Sequence, residues 1–228
     1  MSNNSWKKIM PSVNALSAAS VLAMGPIIPV VVLHHLDDAL PLAEAILNGG
    51  IKVLEITLRT PVALQSICLL RERLAEACVG AGTVMTCRQL QQCTEAGAQF
   101  AISPGSTTEL LQAGLQSHIP LIPGVSSVSE MMEGMNCGYS HFKFFPAEAV
   151  GGIPMLKAIS APFPSLRFCP TGGIHAKNYL DYLALANVEC VGGSWIVPDD
   201  AIKQKNWSLI TDLCSTALEK ASQPAAVN

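Results

Sequence analysis

Charge and metal-ligand spacings are scarce in these 228 residues, and each scarcity excludes something. Only 14% of the residues are charged, the formal net charge is −3, and the pI is near 5.9. No basic patch and no basic run interleaved with aromatics appears, so nucleic acid is not an expected partner. The eight cysteines, Cys68, Cys78, Cys87, Cys93, Cys137, Cys169, Cys190 and Cys214, form no C-x-x-C pair. Most stand in apolar surroundings, which suits small buried hydrophobes in a reducing cytosol better than a disulfide or zinc framework. His34-His35 carry no H-E-x-x-H or other ligand spacing, and His118, His141 and His175 are isolated. No metal site is expected from them. The apolar stretch 21–33 is broken by Gly25-Pro26 and Pro29 and is too short to span a bilayer. Lys7-Lys8 precede a mildly apolar region, but Pro11, Ser12, Asn14, Ser17 and Ser20 interrupt it, so no signal peptide is read. The expectation is a soluble, cytoplasmic protein without membrane association.

Apolar residues, by contrast, make up half of the chain. That is enough for a large core and for a subunit contact. One unit recurs: an apolar strand, a loop, a helix, then often a glycine. Strands are expected at 27–33, 51–58, 78–82, 99–103, 118–122, in the 141–148 stretch, at 166–170 and at 188–191. A short helix at 12–23 precedes them. Helix starts are read at Asp37 or Asp38, at Thr60 with Pro61 in the first turn, at Thr86, and at two capping boxes, Ser106 with Glu109 and Ser127 with Glu130. Gly49-Gly50 and Gly97 close helices. Eight strands that alternate with helices predict an α/β fold, a single (β/α)8 TIM barrel over 1–228 with a short N-terminal helix. The barrel proper takes up about 26–220, and 222–228 is a frayed tail. An open doubly wound sheet is the other architecture, but no dinucleotide fingerprint follows the first strand.

In such a barrel the reactive groups collect at the carboxyl ends of the strands. The stretch His141-Phe142-Lys143-Phe144-Phe145-Pro146-Ala147-Glu148 puts a lysine inside an apolar strand. Alternate strand residues share a face, so Lys143 lies with His141 and Phe145, opposite Phe142 and Phe144. A buried ammonium must be paired or give up its proton, and a free amine is a nucleophile. The plainer alternative is a lysine that snorkels to solvent from the strand end.

In the second strand Leu54, Ile56 and Leu58 make a helix-packing face. Glu55, Thr57 and Arg59 make the other, which points inward. Glu55 and Arg59 read as an acid/base with an anion-binding partner, or as an ion pair kept for structure. The third strand ends Gly80-Ala81-Gly82-Thr83. Its glycines leave room near the axis and Thr83 brings a hydroxyl to the rim. Pro104-Gly105 and Pro123-Gly124 are turn signals that tighten the mouth. Pro170-Thr171-Gly172-Gly173 and Val191-Gly192-Gly193-Ser194 follow the last two strands. Paired glycines there let backbone N–H groups approach a phosphate closely.

Five motifs carry a resemblance that covers the chain from about the first strand to the final helix. They are Glu55-Ile56-Thr57-Leu58-Arg59-Thr60, Val79-Gly80-Ala81-Gly82-Thr83-Val84, Phe142-Lys143-Phe144-Phe145-Pro146-Ala147-Glu148, Arg167-Phe168-Cys169-Pro170-Thr171-Gly172-Gly173 and Gly192-Gly193-Ser194-Trp195. Together they resemble the class I 2-keto-3-deoxy-6-phosphogluconate aldolases, many of which also act on 4-hydroxy-2-oxoglutarate. The resemblance implies a (β/α)8 homotrimer acting on a small keto acid in the Entner–Doudoroff route or in glyoxylate handling. It implies that Lys143 forms a Schiff base and Glu55 moves protons. Arg59, Thr83, Pro104 and Phe145 surround the carboxylate and keto group. Thr171, Gly172, Gly173, Gly192, Gly193 and Ser194 hold the distal phosphate. No metal or organic cofactor is implied. Two other readings stand beside it: a different phosphate-binding barrel enzyme, an isomerase or synthase in which Lys143 acts only electrostatically, and a non-catalytic anion-binding trimer.

Overall fold

A computed structural model describes residues 16–223. Lys7-Lys8, the first part of the expected 12–23 helix and the tail 224–228 lie outside those residues. Nine strands run through it: β1 Ile27–Val31, β2 Val53–Thr57, β3 Cys78–Gly82, β4 Ala101–Ile102, β5 Leu121–Ile122, β6 Gly124–Val125, β7 His141–Phe144, β8 Arg167–Pro170 and β9 Val191–Gly193. Helix α1 is Ala18–Leu22, and the helices that follow the strands are α2 Ala39–Asn48, α3 Ala63–Arg73, α4 Cys87–Glu95, α5 Thr108–Gln116, α6 Val128–Asn136, α7 Gly152–Ser160, α8 Tyr179–Leu183, α9 Asp199–Lys203 and α10 Trp207–Ser222.

All strand pairings are parallel. Six strands form one sheet in the order β5-β4-β3-β2-β1-β9, and three form another in the order β6-β7-β8. The two sheets meet at both ends. β5 and β6 are one run of chain parted by Pro123, which has no N–H to give the ladder. β8 and β9 touch through the single bridges Phe168–Val188 and Thr171–Gly192. The result is a curled parallel sheet with helices outside it. Every residue of β1, β2 and β3 is buried, as a sheet covered on both faces requires. The outward rings of Phe142 and Phe144 each lie 6.3 Å from that of Phe168, and the Phe142 ring fills the space that Gly134 of α6 leaves.

Several expected boundaries move. The fifth strand was expected at 118–122, but its pairing is carried by Leu121–Ile122 and Gly124–Val125, because Pro120 and Pro123 cannot donate and serve only through their carbonyls, to Ala101 and Lys143. The eighth strand was expected at 188–191 and lies at Val191–Gly193, so Gly192 and Gly193 are strand rather than loop. Thr60-Pro61 form a turn, not a helix start: α3 begins at Ala63, whose N–H reaches the Thr60 carbonyl at 3.4 Å. The cap of α5 is Thr107, which accepts from the Leu110 N–H at 3.2 Å, so Ser106 and Glu109 make no capping box. Asp37 and Asp38 lie in a 3-10 turn, Leu36–Asp38, and neither side chain caps α2. Thr86 does cap α4, Ser127 and Glu130 form a capping box, and Gly50 and Gly97 take the left-handed conformation behind their helices. Ser222 is the last residue of α10 rather than part of a frayed tail.

Candidate active site

In-register residues of parallel strands share a face, and the register aims two long polar side chains into the interior. Glu55 of β2 pairs with Val30 and Gly80, and Lys143 of β7 pairs with Gly124 and Cys169. There Lys143 Nζ donates to Glu55 Oε1 at 3.1 Å. Lys143 is 3% exposed and Glu55 1%. The lysine does not snorkel to solvent. Two opposite charges held this far from water lose several kcal/mol of hydration each, and only close pairing offsets that loss. Gly82 makes the pair possible, since a Cβ there would fall on the Glu55 carboxylate. The Phe145 ring covers the amine, its centroid 5.4 Å from Nζ.

A cavity of about 670 Å³ shares Phe145 with this pair. It is lined by Arg59, Phe145, Thr171, Gly172, Gly173, Gly192, Gly193 and Ser194, which the chain order keeps far apart. Neither Glu55 nor Lys143 lines it, but Phe145, whose ring covers the Lys143 amine, does. Arg59 Nε donates to Thr83 Oγ1 at 3.2 Å. Arg59 therefore pairs with Thr83, and Glu55 pairs with Lys143, so the alternative of a Glu55–Arg59 ion pair kept for structure is not the one formed. Thr83 has a φ of +59°. A β-branched residue rarely adopts that conformation, which costs about 1–3 kcal/mol and occurs mostly at functional positions. The neighbouring bonds Leu58 N–H to Gly82 O and Val84 N–H to Ile102 O hold it there. Pro104 does not line the cavity; its backbone packs against Gly124.

The two glycine pairs differ. Gly172 and Gly173 have φ of +97° and +79°, open only to glycine at little cost. The carbonyls that precede them are held by backbone N–H groups: Thr171 O accepts from the Ala147 N–H at 2.8 Å and Gly172 O from the Glu148 N–H at 3.1 Å. Among the described residues no protein group accepts from the N–H of Gly173 or Ile174, whereas the Thr171–Gly192 bridge turns the Gly172 N–H toward the Gly192 carbonyl. Such a run of free amides facing a cavity is an anion nest. Gly192 and Gly193 instead make room: a Cβ on Gly192 would strike Thr171 Oγ1, and one on Gly193 the Trp195 ring. Their small size is a packing requirement, and neither has a positive φ.

The sequence reading missed several cavity residues. His34, for which the sequence showed only the lack of a ligand spacing, lines the wall with Nε2 3.5 Å from Asp199 Oδ1. Its place just past the end of β1 was the available signal, by the same strand-end rule that found the others. Trp195 was noted only within a motif, yet its ring forms part of the wall and packs on Tyr179 at 5.4 Å. Of the eight cysteines, all free, Cys78, Cys93, Cys169, Cys190 and Cys214 are buried, while Cys68 and Cys87 are exposed. Burial pushes the Cys93 and Cys214 thiols up to about 12, which suits inert packing. Among the described residues no helix is long and apolar enough to cross a membrane, and no group of three or more His, Cys, Asp or Glu is placed to hold a metal ion.

Residues 18–213 match the family model described as KDPG and KHG aldolase. The chain is 54% identical over 205 residues to the KHG/KDPG aldolase of Escherichia coli, covering 90% of this chain and 96% of that one. It is 52% identical over 207 residues to the 2-dehydro-3-deoxy-phosphogluconate aldolase of Pseudoalteromonas atlantica, covering 91% and 96%. A crystal structure of the KDPG aldolase from Legionella pneumophila, with pyruvate captured as a covalent carbinolamine intermediate, superposes with a TM-score of 0.87 at 62% identity, covering 88% of this chain and 98% of that one.

Proposed function

The chain belongs to the KDPG and KHG aldolase family, and from that premise we propose how its residues carry out the cleavage. The enzyme is a lyase that splits 2-dehydro-3-deoxy-6-phosphogluconate into pyruvate and glyceraldehyde 3-phosphate. It splits 4-hydroxy-2-oxoglutarate into pyruvate and glyoxylate by the same steps. The observation that carries the mechanism is the buried contact of Lys143 Nζ with Glu55 Oε1 at 3.1 Å. It joins the one nucleophile and the one base that class I aldol cleavage needs, and an apolar shield over the amine keeps out competing water.

Lys143 attacks the C2 carbonyl, and loss of water from the carbinolamine gives an iminium. Glu55, through a water, takes the proton of the C4 hydroxyl. The C3–C4 bond breaks, its electrons pass into the iminium to form an enamine, and the aldehyde leaves. Glu55 returns a proton to C3, and hydrolysis frees pyruvate and the amine. Arg59 holds the C1 carboxylate with Thr83 beside it, and Phe145 walls the amine, while Pro104 acts only through its packing on Gly124. The amides of Gly173 and Ile174, with Thr171, Gly172 and Ser194 around them, hold the distal phosphate. Gly192 and Gly193 support that site by admitting Thr171 and Trp195. No metal or organic cofactor takes part in these steps, since the iminium is the electron sink.

The same reading includes a sheet closed into one (β/α)8 barrel as a single domain, which the β8–β9 bridges and the shared run at Pro123 support. It includes a homotrimer, supported by the exposed Met85, Leu115, Met132 and Met135, and work in the cytoplasm on the Entner–Doudoroff route or in glyoxylate handling. The direct test is pyruvate release from both substrates by purified protein, with Lys143→Met as the control. Release that survives Lys143→Met would overturn the mechanism.

A further inference from the structure

The anion nest has a part that no backbone pairing supplies. In a planar trans peptide the C=O and the next N–H point in opposite directions. Fixing a carbonyl on one side of the loop therefore aims the following amide to the other side. The Thr171 carbonyl is held by the Ala147 N–H, which turns the Gly172 amide to the β9 side. The Gly172 carbonyl is held by the Glu148 N–H, which aims the Gly173 amide into the cavity. The third peptide is held by a side chain: Asn178 Nδ2 donates to the Gly173 carbonyl at 3.1 Å, and this aims the Ile174 amide. Asn178 Oδ1 accepts from the His175 N–H at 2.8 Å. One backbone donor and one backbone acceptor thus settle which end of the amide is nitrogen. Asn178 does not line the cavity, whereas Gly172, Gly173 and Ile174 do.

We propose that Asn178 is a positioning residue for the phosphate end of the substrate: by gripping the Gly173 carbonyl from outside, it orients the Ile174 amide toward the anion and so sets the preference for phosphorylated over unphosphorylated keto acids. The inference rests on the reading of Gly172–Gly173 as the phosphate cradle. It also explains why the loop needs help at this point. Gly173 is free to rotate, and without a hold on its carbonyl the next peptide can turn over and present oxygen, not N–H, to the phosphate.

Two substitutions at one position separate this role from a plain turn role. Asn178→Ala removes both side-chain bonds. Asn178→Asp keeps the acceptor for the His175 N–H and puts an oxygen against the Gly173 carbonyl. Both variants should lose about tenfold in kcat/KM on 2-dehydro-3-deoxy-6-phosphogluconate, the scale of one hydrogen bond to a charged group. Both should weaken competitive inhibition by inorganic phosphate in proportion, and stay within about twofold of the parent enzyme on 4-hydroxy-2-oxoglutarate. Rescue of the phosphorylated substrate by Asn178→Asp would overturn the proposal, because only the His175 turn would then matter. Parallel losses on both substrates, or no loss in Asn178→Ala, would also overturn it. If the parent enzyme itself is indifferent to inorganic phosphate and to the phosphate on the substrate, the cradle reading fails and this inference fails with it. A phosphate-sensitive parent with insensitive variants removes Asn178 alone.

Discussion

The carboxylate of Glu55 occupies the space that a side chain on Gly82 would need. Gly82 has no positive φ, so a substitution there is not strained through the backbone. Gly82→Ala should act through Glu55 alone. Overpacking beside a buried ion pair should cost about 1–3 kcal/mol of stability, and displacement of the carboxylate should lower kcat on both substrates. Thermal melting and steady-state cleavage check this. A Gly82→Ala enzyme with parental kcat would mean that the carboxylate position is unimportant.

Glu55→Gln keeps the shape of the side chain and removes its basicity. Proton transfer by a positioned side chain is worth about 10²–10⁴ in rate, so cleavage should fall by that much. Exchange of the pyruvate methyl protons with solvent should fall with it, because both need the same proton shuttle. Loss of one partner of a buried pair is also destabilising, by about 3–5 kcal/mol, so the melt should be recorded beside the rate. Parental exchange and cleavage would leave Glu55 as only the structural partner of Lys143.

Gly193→Ala would be a natural probe of the phosphate site, but its Cβ would enter the Trp195 ring. It should lower thermal stability and reduce activity on both substrates in parallel. Ser194→Ala leaves the backbone intact and should weaken the phosphorylated substrate alone, by up to about 1.5–3 kcal/mol. Arg59→Met should hurt both substrates, since both carry the carboxylate it grips. Comparing kcat/KM on the two substrates separates the three outcomes.

The capping box of α6 makes a pH prediction. Burial pushes the Glu130 carboxyl up, but bonds from Ser126 and Ser127, at 2.6 and 2.9 Å from their N–H groups, bring it below its ordinary 4.5. A carboxyl lowered by folding contributes fully above its ordinary value and loses that contribution as pH falls through the lower, folded value. Glu130→Gln keeps an acceptor for the box but loses the charge, so it should melt slightly below the parent at neutral pH. The gap should close as the pH falls through the lowered, folded value. Melts across that range check it, and a gap independent of pH would contradict it.

Much of the fold was legible because strand and helix signals are local. Cys78–Gly82 was placed to the residue, and the Thr86 cap and the Ser127–Glu130 box followed from side chains three residues from their partners. Proline and threonine misled where two positions competed. Thr107 took the cap expected of Ser106, and Pro123 split a strand that the apolar run had placed earlier. Glu55 and Lys143 were legible from alternation, which needs no partner in view. Their pairing was not, because it joins strands 88 residues apart. Thr83 looked like an ordinary strand residue, and its φ of +59° is set by β2 and β4 beside it. Gly192-Gly193 read as a phosphate loop, yet the atoms that need their small size belong to Thr171 and Trp195. Asn178 carried no signal, since its partner is a backbone carbonyl outside any motif.

The central claim is that the amine beside Glu55 bonds to the substrate carbon. Incubation with pyruvate, reduction with borohydride and peptide mass analysis tests it most directly. The account predicts one pyruvate-dependent adduct, reduced onto Lys143, and none in Lys143→Met. An adduct on another lysine, or no adduct in active enzyme, would contradict it.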